Sequence, residues 1–224
     1  MSEDEGRFRA AIERLDAANR EDPYREVFEG KEYPKELLYA LRMTEWLSRH
    51  REVFEGKEYP KELLYALRMT EWLSRLEPAA SEALRLAVRA QHLCRWTVPR
   101  DSYPRDRKGY LQWRTGLARF HAEKAGAILR EAGYGGEAIA RVQSLLRKER
   151  LKSDPEAQLL EDAACLVFLE SYFLDFSQQH EEEKVIGILR KTWAKMSPRG
   201  QKAALGLALP PEAAALVGKA LSTA

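Results

Sequence analysis

Apolar residues recur along almost the whole chain at the spacing of an α-helix. In the first segment, RFRAAIERLDAA, Phe8, Ile12 and Leu15 lie three or four positions apart and therefore share one helical face. The same period runs through the later segments, and no stretch shows the period of two that is typical of strands. The pattern predicts an all-α protein that folds as a single-domain helical bundle over residues 1–224.

Residues that begin or end helices divide this pattern into separate elements. Ser81 is an expected N-cap, Gly133 ends a long helix, and Asp154 with Pro155 begins another. The helix after Pro155 is apolar nearly all round at its centre, so we expect it to be the central buried helix. Prolines, a glycine and polar residues in TVPRDSYPRDRKGY predict an ordered loop.

One segment of the chain occurs twice without a difference. The sequence REVFEGKEYPKELLYALRMTEWLSR fills residues 25–49 and again residues 51–75, with only His50 between the copies. Each copy predicts one amphipathic helix that starts after its proline. The core has room for one such helix, so we expect one copy outside it and favour the second copy inside. The spare helix would remain undocked, extend a neighbouring helix or dock into a second molecule, and the last of these would give a domain-swapped homo-oligomer.

Composition narrows the range of partners and compartments. Hydrophobic residues make up 45% of the chain and charged residues 32%, which is typical of a folded domain with a sizeable core. The net charge of +2 is too small to attract nucleic acid to the protein as a whole, so nucleic acid is not the favoured partner. Any site for an anion must depend on a local cluster of positive charges. The chain shows no apolar signal segment and no membrane-spanning run, and we expect Cys94 and Cys165 to be reduced and buried. Together these features predict a cytoplasmic protein.

Three polar residues lie within apolar helical segments. His92 is in RAQHLCRW, His121 is in LARFHAEKAGAILREAGY and Asp162 is in LLEDAACLVFLE. A carboxylate in such a segment must be paired, hydrogen-bonded, metal-bound or neutral, because a bare buried charge is very costly. The three residues form a candidate site for a divalent transition metal such as Mn, Fe, Zn or Ni. The alternative is that each is a core polar group with ordinary hydrogen bonds.

An aromatic and basic series surrounds the two histidines. Arginine offers a fork that suits phosphate or carboxylate, and aromatic rings offer a stacking face. The series predicts the wall of a pocket for a nucleotide or another small phosphorylated ligand. The alternative is a loop pinned by arginines that stack on its own aromatic residues. The members of the series are Arg95, Trp96, Arg100, Tyr103, Arg107, Tyr110, Trp113, Arg114 and Lys148.

Several of these motifs resemble known families. The runs PKELLYALRMTEWL, LEDAACLVFLESYF and ILRKTWAKMS, with the segment from AVRAQHLCRW to REAGY, resemble the DUF4202 family over nearly the whole chain apart from the extra copy. More remotely, FHAEKAGAILREAGY and LEDAACLVFLE resemble helices of the His-Asp superfamily of metal-dependent phosphohydrolases, which are also all-α. This resemblance implies metal ligation by His92, His121 and Asp162. It also implies a degenerate site, because Leu93 stands where that superfamily has an aspartate and Tyr65 where it has its first histidine.

Two functions follow from the residues and the resemblance together. The first is a metal-dependent phosphohydrolase that acts on a nucleotide or another phosphorylated ligand, with Asp162 and Glu62 as catalytic carboxylates. The second is a non-catalytic module that binds a phosphate, a nucleotide or an RNA end through the same basic and aromatic residues. A third interpretation, a deliberate duplication within a parent protein, explains the repeat without assigning a function.

Overall fold

The structure, a computed structural model, describes residues 3–23, 25–29 and 56–222. In these ranges the chain folds as an all-α, single-domain bundle, as the helical period predicts, with ten α-helices. In chain order the helices are α1 Glu3–Arg20, α2 Lys61–Leu76, α3 Glu82–Arg89, α4 Arg107–Glu131, α5 Gly136–Leu146, α6 Pro155–Val167, α7 Phe173–Gln178, α8 Glu182–Trp193, α9 Pro198–Leu205 and α10 Pro211–Leu221.

The core forms where the apolar faces of the helices meet. Helix α2 packs against α6, α3 against α5, and α4 against α5, while α1 contacts α2, α3 and α4. These helices contribute fully buried apolar side chains. The burial of one such side chain stabilises the fold by about 1.5–3 kcal/mol. Examples from five different helices are Leu15, Met69, Leu84, Leu129 and Leu166.

The predicted helix ends at Ser81, Gly133 and Asp154 are confirmed, whereas α4 begins at Arg107, inside the stretch predicted as a loop. The Ser81 hydroxyl accepts a hydrogen bond from the backbone N–H of Leu84 at 3.1 Å. The Asp154 carboxylate accepts one from the N–H of Glu156 at 3.0 Å. Gly133 follows α4 with φ of 86°, a left-handed conformation that glycine adopts easily. These contacts satisfy backbone groups that have no partner within the helix.

The predicted central helix is interrupted. After α6 ends at Val167, residues Phe168–Tyr172 form one turn of π-helix, and α7 then continues the chain. A π turn shifts the rotation of all side chains that follow it, and such turns are frequent at functional sites. A search for the ordinary helical period therefore finds the helix but misses the turn.

Two short strands, which the sequence pattern did not predict, pair antiparallel. Strand β1 is Arg25–Glu29 and strand β2 is Gly56–Pro60, with Glu29 opposite Gly56. Strand β1 begins the first copy of the repeat, whereas β2 belongs to the second copy. In each single copy of the repeat, the glutamate directly precedes the glycine. If both strands came from one copy, the observed register would therefore form a hairpin with a two-residue Glu–Gly turn. Residues 30–55 lie between the last residue of β1 and the first residue of β2 in the sequence.

Helix α2, from the second copy, lies in the core and buries Leu63, Leu64, Met69, Trp72 and Leu73. The helix predicted for the first copy, and with it the predicted domain swap, lies outside the described residues.

Two further predictions concern the described part of the chain. Cys94 and Cys165 are buried and form no disulfide, as expected. In the described ranges, none of the helices combines the length and the apolar character that crossing a bilayer requires.

Candidate functional site

A cavity of about 480 Å³ opens between α2, the turn after α3, α4 and the segment from α6 to α7. Its volume falls within the range of pockets that bind small molecules. Two carboxylates, those of Glu62 and Glu161, border it. Cationic side chains outnumber them, so the cavity favours an anion. The cations are Lys61, Arg95, Arg114, Lys148 and Lys195.

A tight turn after α3 brings His92 and Arg95 to the cavity. Within this turn Cys94 has φ of 54°, a left-handed conformation that is unusual for a residue with a side chain. The backbone N–H of Cys94 donates to Asn19 Oδ1 of α1 at 3.0 Å. The buried contact between the two segments stabilises the turn and thereby fixes the positions of both cavity residues.

Glu62 is positioned by the start of α2. Its backbone N–H donates to the Asp22 carboxylate at 3.0 Å, which caps the helix. The Glu62 residue is only 7% exposed, and its Oε2 lies 3.2 Å from His92 Nδ1. Burial raises the pKa of the Glu62 carboxyl above its usual value, although Arg95 and Lys61 counteract part of this effect.

His92 contacts three neighbours on the cavity wall. Its ring stacks on Tyr65, with ring centroids 3.8 Å apart and planes within 11° of parallel. Burial, followed by the charges of Arg95 and Arg114, lowers the pKa of His92 well below its usual value, so the ring is neutral. A neutral ring protonated at Nδ1 donates to the Glu62 carboxylate, 3.2 Å away. Arg95 Nη1 lies 3.3 Å from Nδ1 and 3.4 Å from Nε2, so the guanidinium contacts the ring between its two nitrogens.

His121 lies behind His92, with the two ring centroids 6.1 Å apart. It is 4% exposed, and its Nδ1 donates to the Leu93 carbonyl oxygen at 2.9 Å. Burial and the neighbouring His92 lower the pKa of His121 to about 3. His121 is therefore a neutral side chain that supports the turn carrying His92, and it does not line the cavity.

Asp162 connects α6 to α9 instead of bordering the cavity. It is 1% exposed and accepts hydrogen bonds from the backbone N–H of Ser197 at 2.8 Å and from the Ser197 hydroxyl. The Gln158 amide donates to it at 3.0 Å. A Cβ atom at Gly200 would lie 2.7 Å from Asp162 Cγ, so glycine at this position permits the close approach of α9.

The three predicted metal ligands do not fit a common ion as they are placed. Both oxygens of Asp162 already accept hydrogen bonds from Ser197, and neither Asp162 nor His121 borders the cavity that His92 lines. Within residues 3–23, 25–29 and 56–222 no group of three or more His, Cys, Asp or Glu side chains is arranged to hold a metal. Of the predicted ligands, His92 alone borders the cavity.

Glu161 lies beside Asp162 in the sequence but faces the cavity. It forms ion pairs with Lys148 and, at 3.8 Å, with Lys195. Burial alone would raise the pKa of Glu161, but the two lysines outweigh burial and lower it. Lys148 follows the end of α5 with φ of 55°, the left-handed conformation of a helix C-terminal cap, and its N–H donates to the Leu145 carbonyl oxygen at 2.9 Å.

Six members of the aromatic and basic series, Tyr103 among them, lie outside the cavity wall, and two of these six stabilise the loop after Val98. Arg100 donates to the carbonyl oxygens of Tyr103 at 2.9 Å and of Pro104 at 2.7 Å. Trp113 Nε1 donates to the Val98 carbonyl oxygen at 2.9 Å. Also outside the cavity wall are Trp96, Arg107 and Tyr110. The members of the series that do line the cavity are Arg95, Arg114 and Lys148.

The segment from α6 to α7 presents an acidic and aromatic face to the cavity that was not predicted from the sequence. Glu161, Phe168, Tyr172 and Phe176 all border the cavity, and they follow one another at steps that fit one face of a helix. That spacing was a signal for this wall, but Asp162, not Glu161, was predicted as the buried acid of the site. Other cavity residues that were not predicted as site residues are Lys61, Gln91, Cys165 and Lys195.

A comparison with protein families finds one match. The family model described as a domain of unknown function (DUF4202) matches residues 49–217, which is well over half of the chain. The matched span contains every residue that borders the cavity. No curated protein and no solved structure matches the chain.

Proposed function

The chain belongs to the DUF4202 family, and we propose that it binds a small phosphorylated ligand of nucleotide size in the cavity. The observation that carries this proposal is the excess of cationic over acidic side chains on the cavity wall. Cations gathered around one cavity focus their field on it and raise the local concentration of an anion.

The distribution of ion pairs supports the proposal. Lys148 and Lys195 share the Glu161 carboxylate. Among the described residues, no carboxylate forms an ion pair with Arg95 or Arg114. A guanidinium presents two parallel N–H groups that match two phosphate oxygens, so these two arginines are the preferred phosphate contacts.

Aromatic side chains on the same wall favour a ligand that carries a ring. The Phe168 and Phe176 ring centroids are 5.7 Å apart, and those of Tyr65 and Tyr172 are 6.3 Å apart. All four border the cavity. A nucleotide combines a phosphate with a flat ring and therefore matches both parts of the wall.

Calorimetric titration tests the binding proposal with two probes, AMP and trimetaphosphate. We expect Arg114→Gln to raise the Kd for both probes by about tenfold, because a hydrogen bond to a charged group is lost. Arg119→Gln is the matched control, since Arg119 is an exposed arginine of α4 that does not border the cavity. The proposal is wrong if neither probe binds the wild-type protein, or if the two variants behave alike. A 5′-phosphorylated RNA oligonucleotide that binds more tightly than AMP would favour an RNA end as the ligand.

A second candidate function is the hydrolysis of a phosphate ester, and the Glu62–His92 pair favours it. A carboxylate with a raised pKa is suited to take a proton from water. The water oxygen would then bond to phosphorus, the ester P–O bond would break, and the leaving oxygen would regain a proton. Nearby cations would stabilise the charge on the phosphoryl oxygens. The remote likeness to the His-Asp phosphohydrolases is consistent with this reaction class.

Phosphate release from nucleotides tests the second function. Glu62→Gln should abolish release and leave AMP binding in place, because the amide cannot accept the proton. If the wild-type protein releases no phosphate with or without added Mn²⁺, the hydrolase proposal fails while the binding proposal stands.

Three expectations stay predictions. The first is a bound divalent metal, which elemental analysis of the purified protein tests. The second is a cytoplasmic location. The third is a homo-oligomer formed by a spare helix, which light scattering tests.

A further inference from the structure

Gln91 brings an unsatisfied amide group to the cavity wall. It lies in the turn after α3, directly before His92, and is 8% exposed. Its Oε1 atom is buried and has no hydrogen-bond partner. In the described part of the chain, the other buried side-chain atoms without a hydrogen-bond partner belong to Arg7 and Asn19, and neither of these residues borders the cavity.

A buried acceptor without a donor lowers the stability of the folded protein. Native proteins contain few such atoms, and each requires an explanation such as a ligand that completes the hydrogen bond. The turn that carries Gln91 is fixed by the buried contact between Cys94 and Asn19, so the backbone does not relieve the deficit. The last torsion of a glutamine side chain is broad, so the amide oxygen can adjust its direction to a donor in the cavity.

We propose that Gln91 is a specificity residue that accepts a hydrogen bond from an N–H or O–H group of the ligand. The protein then prefers a nucleotide, whose base and ribose carry such donors, to an anion that offers only phosphate oxygens. This inference rests on the proposed function, because it assigns a second contact to the ligand whose phosphate the arginines bind. A site built to accept a hydrogen bond discriminates strongly against an analogue that lacks the donor.

The experiment compares AMP with trimetaphosphate, which is anionic and carries no donor. Gln91→Met keeps the length of the side chain and removes the amide. We expect the Kd for AMP to rise by about tenfold and the Kd for trimetaphosphate to stay within about twofold. The Tm of the ligand-free variant should rise, because the unsatisfied acceptor is gone.

Gln143→Met is the matched control. Gln143 donates from Nε2 to the Ala122 carbonyl oxygen at 3.1 Å and does not border the cavity. This variant should lose thermal stability and keep both Kd values. The assignment of Gln91 is overturned if Gln91→Met leaves AMP binding unchanged or weakens both probes equally. If neither probe binds the wild-type protein, the proposed function itself fails, so the two failures are distinguishable.

Discussion

Acidification should destabilise this protein through His121, and the contribution of this one residue is measurable. In the folded protein burial lowers the pKa of His121 to about 3, whereas an unfolded chain has a histidine pKa of about 6.5. Below pH 6.5 the unfolded chain therefore binds a proton that the folded protein does not bind. The stability associated with the neutral ring is present above pH 6.5 and is lost as the pH falls from there toward 3.

The magnitude follows from the two pKa values. At pH 7.5 the histidine is largely neutral in both states and contributes almost nothing to the difference. At pH 5.0 it is mostly protonated in the unfolded chain and still neutral in the fold. Between these two pH values the free energy of unfolding should fall by about 2 kcal/mol because of His121 alone.

His121→Asn isolates this contribution. The asparagine amide nitrogen takes the approximate place of Nδ1 and preserves a donor to the Leu93 carbonyl oxygen, but it does not titrate. Urea denaturation at pH 7.5 and 5.0 gives the loss of unfolding free energy for each protein. The loss of unfolding free energy between pH 7.5 and 5.0 should be smaller in the variant than in the wild type by about 2 kcal/mol. The contributions of groups that titrate in both proteins cancel to first order in this difference. Equal losses in the two proteins would refute the assignment of a buried, neutral His121.

Three further perturbations test other parts of the structure. The buried Asp16 carboxylate accepts hydrogen bonds from Arg89 at 2.6 and 2.7 Å. Arg89→Met removes this partner from a buried charge and should lower the free energy of unfolding by about 3–5 kcal/mol. A loss below about 1 kcal/mol in urea denaturation would contradict this expectation. Asp162→Ala should destabilise by about 2–3 kcal/mol through the lost hydrogen bonds to Ser197 and leave AMP binding unchanged, whereas loss of a bound metal on elemental analysis would support a ligand role. Deletion of residues 30–55, which joins the two strands directly, should preserve the circular dichroism of the helices and the AMP affinity, and loss of the helical signal would show that the insertion is required.

Local sequence patterns were sufficient for the helices and for several of their ends. Leu15 and Leu84 lie on the apolar faces that the period predicts, and both are fully buried. Ser81 and Asp154 cap helices because their side chains reach N–H groups only two or three residues away. Such contacts depend on neighbours in the sequence, and a short window therefore contains the information that determines them.

Contacts between distant segments decided which residues form the candidate site. Successive residues of a helix point about 100° apart, so Glu161 and Asp162 face different neighbours, and only the packing of α9 shows which of them meets Ser197. The pairing of β1 with β2 likewise joins segments from different copies of the repeat, which no local pattern specifies. The sequence by itself determined the helices, their caps and their apolar faces. The tertiary structure decided which polar side chains share a cavity, because that depends on the relative rotation and approach of helices far apart in the chain.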